Sequence, residues 1–380
     1  MDFRLSEEQV LLSESARRLV EQGFDYEARR RAVASGAAYS PQFWGQFAEL
    51  GWLGLAIPEA HGGLGGGAAD FAVLVERLGA GLMLEPYVPV TAAIRTLIAA
   101  GAAGKLTAAV IDGSARPVLA HGEPGSGATL EYVETRAERS GDGWRLSGAK
   151  TLVLGGAAAT HYLISARTAG EAGAAQGVSL FLVAADHPAL GRRDVRLTDD
   201  SLGSDLAITA LDLPAAALVG PEGGAVPALR EGMAWLQLGL HAEALGAMDK
   251  ALWTTRDYVR TRKQFGVELS TFQAVQHRLA DMAMETELAR SMLLRLISVF
   301  DAAGPKREHT LTAAKVLFGN SGFFVGAQSV QLHGGMGMTD EYLIGMYFKR
   351  LVLLRNLHGG ANAALARLGR EQSNLAMERA

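Results

Sequence analysis

From residue 6 to about 112, apolar residues recur at intervals of three and four, the spacing that lines one face of an α-helix. Ser6 and Gln9 stand at capping-box spacing, so a helix starts there, and Val10, Leu11, Leu19 and Val20 then share a face. Phe43, Phe47 and Leu50 repeat the pattern, as do Phe71, Leu74, Val75 and Leu78. Between about 116 and 222 the period shortens to two or the runs become continuously apolar: Tyr132 to Ala137, Trp144-Arg145-Leu146, Tyr162-Leu163-Ile164, Val178 to Val183 and Ala207 to Leu213. Gly, Pro and Asp punctuate these runs, which describes a small sheet or barrel of antiparallel strands. After Pro221 and Gly223-Gly224 the helical period returns over 225–263, 270–301, 308–332 and a tail to about 377, long helices with short connections that read as an antiparallel bundle. The fold class is α+β, with a helical N-terminal domain over 1–114, a middle antiparallel β-domain over 115–222 and a C-terminal helical bundle over 223–380.

Length adds that 380 residues exceed the ~250–300 at which single cores stop growing, so several domains sharing interfaces are expected. A net charge of −4 with no local cluster of Lys and Arg gives no electrostatic footprint for nucleic acid. The absence of cysteine removes disulfides, thiolate metal sites and a cysteine nucleophile, and no metal site is expected. The opening Met1-Asp2-Phe3-Arg4-Leu5-Ser6-Glu7-Glu8 is too acidic for a signal peptide, and no apolar run reaches the ~20 residues of a membrane span, so a cytoplasmic location is expected.

Four stretches carry more specific information. They are Leu50-Gly51-Trp52-Leu53-Gly54-Leu55-Ala56-Ile57-Pro58 followed by Gly62-Gly63-Leu64-Gly65; Glu123-Pro124-Gly125-Ser126-Gly127; Arg262-Lys263-Gln264-Phe265-Gly266 leading to Phe272-Gln273-Ala274-Val275-Gln276; and Gln331-Leu332-His333-Gly334-Gly335-Met336-Gly337. In this order they resemble the acyl-CoA dehydrogenase family along essentially the whole chain. The resemblance implies a helical N-terminal domain, a β-domain, a C-terminal four-helix bundle and FAD shared between two subunits. It also implies removal of the α-proton of an acyl-CoA by a Glu, passage of the β-hydride to the flavin, and an electron-transferring flavoprotein as acceptor. The Gly62–Gly67 cluster is not a dinucleotide fingerprint, because no strand precedes it.

Several residues match the family positions that hold the ADP half of FAD across the subunit interface. Arg262 stands where the pyrophosphate is bound, a task suited to a planar guanidinium, although an Arg near a helix C-terminus is also favoured by the dipole. Phe265 and Gln273 match lining positions, with core packing a nearly equal account of Phe265. Gln331, Leu332, His333, Gly334 and Gly335 match the segment that approaches the adenosine, and paired Gly there also suits a helix C-cap.

The catalytic positions differ. Aligned without a gap from Gln331, the family's Glu position carries His358, within Leu357-His358-Gly359-Gly360, and the alternative base position on the first bundle helix carries Leu236. An imidazole is an admissible base. Glu243, on the same helix, is the other candidate, with a structural role the competing account. On the flavin-ring side Leu152-Val153-Leu154 replaces Trp-Ile-Thr, Gly127-Ala128-Thr129 replaces Gly-Ser-Asp, His121-Gly122 replaces a small residue and Thr, and Gln237 replaces an Arg that meets CoA. This pattern resembles the small subunits of two-gene dehydrogenases of the pimeloyl-CoA or steroid-side-chain type. It implies a heterotetramer in which the chain completes the FAD site of a homologous subunit that carries the Glu. A homo-oligomeric flavoenzyme using His358 or Glu243, and a flavin-free scaffold, are the other two readings.

Overall fold

The computed structural model describes residues 4–24, 26–127 and 129–378. The chain opens with helices α1 (Glu7–Gly23), α2 (Tyr26–Ala34), α3 (Pro41–Glu49), α4 (Ala68–Ala80), α5 (Tyr87–Ala99) and α6 (Thr107–Ile111). Strands β1 (Pro117–Ala120), β2 (Arg136–Ser140), β3 (Gly143–Leu154), β4 (His161–Arg167), β5 (Val178–Ala184), β6 (Leu190–Arg196), β7 (Leu202–Leu213) and β8 (Leu218–Val219) follow. Helix α7 (Val226–Thr261), a hairpin of β9 (Lys263–Gln264) and β10 (Val267–Glu268), and helices α8 (Gln273–Phe300), α9 (Pro305–His333), α10 (Ile344–Asn356) and α11 (Gly360–Glu378) complete it. Two compact units result: Met1–Arg31, Ala68–Met83 and Gln237–Ala380 form the first, and Ala32–Gly67 and Leu84–Leu236 the second.

In the first unit the capping box forms as expected, with the Gln9 N–H donating to Ser6 Oγ at 3.2 Å and the Ser6 N–H to Gln9 Oε1 at 3.1 Å. The expected apolar face does not turn inward: Val10 and Leu11 are exposed, Leu11 by 64%, and the buried side of α1 is Ser13 and Ala16. Small side chains let α1 lie close to α4, where Arg77 Nε donates to Ser13 Oγ at 2.8 Å and Gln9 Nε2 to Asp70 Oδ1 at 2.9 Å. Helix α7 packs against α4 at two glycines. A Cβ on Gly246 would lie 1.9 Å from the Glu76 carbonyl oxygen, and one on Gly79 would lie 2.4 Å from that of Glu243. The expected C-terminal tail splits into α10 and α11 at three successive left-handed residues, His358 (φ 49°), Gly359 (φ 82°) and Gly360 (φ 75°).

In the second unit the sheet runs β6-β7-β3-β2-β4-β5-β8, with β1 added to β4. Its pairings are antiparallel except that β4 runs parallel to β1 and to β2. The run Tyr132 to Ala137 is a strand only from Arg136. The reason is local: the Glu134 and Thr135 N–H groups donate to the Glu123 carboxylate, at 2.5 and 3.1 Å, instead of to a neighbouring strand. Leu50 caps α3 and is exposed rather than part of its core face. The Gly62–Gly67 loop folds onto Leu55–Ile57, and Gly63 has no room for a Cβ, which would sit 2.1 Å from the Ile57 carbonyl oxygen.

No helix among the described residues is long and apolar enough to cross a membrane. Because the α4–α7 crossing is backbone against backbone, Gly246→Ala is expected to lower stability by about 3 kcal/mol or more, the upper range for overpacking. A urea melt in which the variant keeps the wild-type midpoint would contradict that.

Candidate cofactor and active site

Within the first unit, α7 ends at Thr261 and the hairpin begins at once. The Arg262 N–H donates to the Tyr258 carbonyl at 2.9 Å, continuing the helix, while its own carbonyl accepts from Leu269 N–H at 2.9 Å and closes the hairpin. The turn is Phe265-Gly266, both with positive φ (54° and 83°), the geometry of a tight two-residue hairpin. The Arg262 side chain is exposed, and Phe265 is 89% exposed, so core packing does not account for it. Its ring meets Phe272 edge-on at 6.2 Å, which ties the hairpin tip to the start of α8, where Gln273 is the first residue and exposed.

The Gln331–Gly335 segment reaches the same place through His333. That ring is buried and stacks on Tyr258 at 4.2 Å, and the Tyr258 hydroxyl donates to the His333 carbonyl at 3.4 Å. His333 Nδ1 lies 2.8 Å from the Ser329 carbonyl, so Nδ1 carries the proton. Burial pushes its pKa below the ordinary value. Gln331 is exposed and Leu332 partly buried; Gly334 (φ 61°) and Gly335 then form an open backbone ledge, with no atom within 4 Å of where either Cβ would stand. The structure therefore brings the six exposed residues Arg262, Phe265, Gln273, Gln331, Gly334 and Gly335 together around the stack of half-buried Tyr258 on buried His333. A permanent cation, an exposed ring and bare backbone suit the phosphate, aromatic and ribose parts of a dinucleotide.

The candidate bases lie elsewhere in this unit. Glu243 is buried and held bidentately by Arg350, with Nε to Oε1 at 2.6 Å and Nη2 to Oε2 at 2.9 Å. Both oxygens are engaged, as in a structural ion pair. His358 is partly exposed as a residue, but its Nε2 is buried and has no hydrogen-bond partner. Burial and the nearby Lys315 ammonium push its pKa down to about 4, a weak base for neutral pH. Leu236, in the second unit, is buried.

In the second unit the loop after β1 is organised by a buried ion pair that sequence inspection missed. Lys150 is fully buried, and its ammonium donates to Glu123 Oε1 at 2.5 Å and to Ser165 Oγ at 3.0 Å. Ser165 in turn meets His121 Nδ1 at 2.9 Å. Burial lowers the Lys150 pKa to about 8 against the opposing pull of Glu123; burial raises Glu123, and the Lys150 charge and hydrogen bonds more than reverse this. The only sequence signal was a Lys in a strand whose inward positions are otherwise apolar. Leu152 sits at φ 51° where β3 and β7 slip register, and its N–H donates to Asp205 Oδ1 at 3.1 Å. The side chains at 152–154 supply no hydroxyl; Thr129 is exposed, and Ala128 lies outside the described residues.

Comparison with known proteins agrees with this layout. Residues 6–105 match the acyl-CoA dehydrogenase N-terminal domain, 119–210 its middle domain and 226–372 its C-terminal domain. The long-chain specific acyl-CoA dehydrogenase of Rattus norvegicus mitochondria is 30% identical over 352 residues, 87% of this chain and 78% of that protein. The solved Tcur3481-Tcur3483 steroid acyl-CoA dehydrogenase is 32% identical with a TM-score of 0.87, covering 98% of this chain and 99% of that one. The ChsE4-ChsE5 complex from Mycobacterium tuberculosis is 25% identical with a TM-score of 0.88, covering 98% and 99%. The chain belongs to the acyl-CoA dehydrogenase family.

Two consequences are measurable. Lys150→Met leaves Glu123 buried without its cation, so a loss of about 3 kcal/mol is expected, with partial recovery in the Glu123→Gln/Lys150→Met double variant; equal urea midpoints for both variants would argue against the pair. His241, stacked on Phe318 at 4.8 Å, is held at about 3 by burial and Lys315, and His358 at about 4. Unfolded, both titrate near ~6.5. The unfolded chain therefore takes up protons first as pH falls, and stability present above ~6.5 is lost progressively, through about 4 for His358 and about 3 for His241. His358→Asn, a residue that tolerates positive φ, is expected to flatten this slope in urea melts between pH 7 and 4.5.

Proposed function

We propose that this chain is a subunit of a heteromeric, FAD-dependent acyl-CoA dehydrogenase that contributes cofactor binding to a homologous partner's site and does not itself abstract the substrate proton. The observation that carries this reading is a division within one unit. The exposed group at Arg262, Phe265, Gln273, Gln331, Gly334 and Gly335 is formed and open, whereas neither candidate base is fit for proton transfer, since Glu243 is engaged by Arg350 and His358 is a weak base beside Lys315. Similarity to a steroid enzyme whose name pairs two proteins, and to a two-protein complex, supports the heteromeric reading. FAD, when bound, supplies the electron acceptor for dehydrogenation of an acyl-CoA. Arg262 would hold its pyrophosphate, Phe265 would cover an aromatic face, and the Gly334–Gly335 ledge would admit the adenosine. The partner would supply the Glu and the acyl-CoA pocket, an electron-transferring flavoprotein would take the electrons, and the assembly would work in the cytoplasm.

The test is the flavin-to-protein ratio by visible absorbance, for the chain alone and co-expressed with a homologous subunit that carries the Glu. The expected result is no flavin alone and about one per heterodimer. Arg262→Ala should weaken flavin retention ten- to a hundredfold, since hydrogen bonds to charged groups contribute about 1.5–3 kcal/mol. One flavin per chain in the isolated protein would overturn the proposal.

A further inference from the structure

Helices α7 and α9 and the turn between α10 and α11 bring three basic side chains into one part of the first unit. His241 comes from α7, Lys315 from α9, and His358 from the turn. His241 stacks on Phe318, one turn from Lys315 on α9, and Lys315 Nζ reaches the carbonyl of Leu354, four residues before His358; its charge acts on both rings. Lys315 is 8% exposed and His241 4%. The Lys315 ammonium makes one hydrogen bond, to the Leu354 carbonyl at 2.8 Å, where it caps the C-terminus of α10. Two of its three N–H donors are then unused. Nε2 of His241 and Nε2 of His358 are both buried without a hydrogen-bond partner.

Buried polar atoms almost always find partners, and several unpaired ones around a single charge call for an explanation. No acidic side chain offsets Lys315: burial alone acts on it, and the nearest carboxylate along α7, Glu243, is committed to Arg350. The turn is also strained toward this arrangement. His358 adopts φ 49°, a conformation that costs a non-glycine residue roughly 1–2 kcal/mol, and it does so with its Nε2 held inside. A metal ion does not answer the need, because an ammonium beside two imidazoles repels a cation, and the described residues contain no group of three His, Asp or Glu able to hold one. An acceptor-rich guest of negative charge does answer it. The two spare Lys315 hydrogens and the two ring nitrogens, each in its Nε2–H tautomer, supply up to four donors, and the two oxygens of a carboxylate offer about four acceptor positions. The turn is the solvent-facing part of this cluster, with His358 partly exposed and Gly359 exposed.

We infer that His241, Lys315 and His358 form a binding site for a small monoanion, with the carboxylate of a small organic acid as its ligand class. The inference lies within one unit and does not depend on how subunits assemble. With an anion seated there, the His358 Nε2–H is a hydrogen-bond donor, and the residue at the family's base position recognises an anion instead of accepting a proton.

The full chain, alone or with its partner, is melted in rising sodium acetate at constant ionic strength, with sodium chloride as the balancing salt in one series and sodium methylsulfate in a second. A ligand that binds only the folded state raises the melting temperature with saturation. Wild type is expected to show a saturable rise with acetate in both series, and Lys315→Met to lose it. Should Lys315→Met fail to fold, His358→Asn keeps the cation and is expected to weaken the apparent acetate affinity at least tenfold. A rise with acetate only in the methylsulfate series, together with a chloride response that Lys315→Met abolishes, would support the anion site with a halide able to fill it. Absence of any saturable anion effect in wild type, or the same effect in wild type and both variants, would overturn the inference.

Discussion

The first unit depends on how closely α7 lies against α4. At Gly246 and Gly79 the two helices meet backbone to backbone, and a methyl group at either position would overlap a carbonyl oxygen. Pressed in that far, α7 cannot offer Glu243 to water, and a buried carboxylate needs a cation. Arg350 on α10 supplies it through two N–H donors, so the ion pair ties α10 to α7. The C-terminus of α10 is then capped by Lys315 from α9, and the chain turns back through three left-handed residues into α11. One steric fact thus sets the environment of both residues considered as bases. It leaves Glu243 as a fixed counter-ion and His358 beside an ammonium.

Much of this was legible in the sequence, for identifiable reasons. The helix spans after residue 225 are long stretches bounded by Gly and Pro, and the Ser6–Gln9 box is a local interaction, so both survive without knowledge of tertiary contacts. The inward face of α1 was misread: apolar Val10 and Leu11 lie outward because close approach to α4 selects the small Ser13 and Ala16 instead. Residues 132–135 read as strand by composition, yet the N–H groups of Glu134 and Thr135 serve the Glu123 carboxylate, a partner no periodicity announces. The parallel pairing of β4 with β1 and β2 was likewise hidden, because it joins segments far apart in the chain. At the candidate site, motif spacing pointed to Arg262, Phe265, Gln273 and Gln331–Gly335, but not to the side chains packed beneath them. Tyr258 became visible only once its ring was seen against His333.

Lys150 and Lys315, both buried, show how differently the units treat charge. Lys150 faces a carboxylate and a hydroxyl, and its pairing organises the loop that carries Glu123 and His121. Removing either partner would expose the other to the full cost of burial, so the pair specifies that loop's conformation. Lys315 has only a helix C-terminus, whose partial negative charge of roughly half an electron offsets part of an ammonium. Burial depresses the basicity of both nearby imidazoles, and that imbalance depresses it further. The same residue that stabilises the end of α10 therefore adds to what burial does to His358 as a proton acceptor, and its two effects cannot be separated by moving one side chain.

The exposed Gly334–Gly335 ledge and the residues considered as bases also share no side chain. Tyr258, which anchors the ledge through His333, lies fifteen residues beyond Glu243 on α7, or about 22 Å along the axis at ~1.5 Å per residue. The ledge rests on a tight hairpin, one ring stack and two glycines with open space around them, and none of these requires a carboxylate at the middle of the helix. A substitution that removes a base therefore leaves the ledge intact, and binding capacity can persist where proton transfer has been lost. The groups that gather on the ledge suit the phosphate and adenosine parts of a flavin dinucleotide, which take no part in the bond changes. A surface of this kind contributes affinity without chemistry, and it has a use when another chain brings the reacting atoms to it.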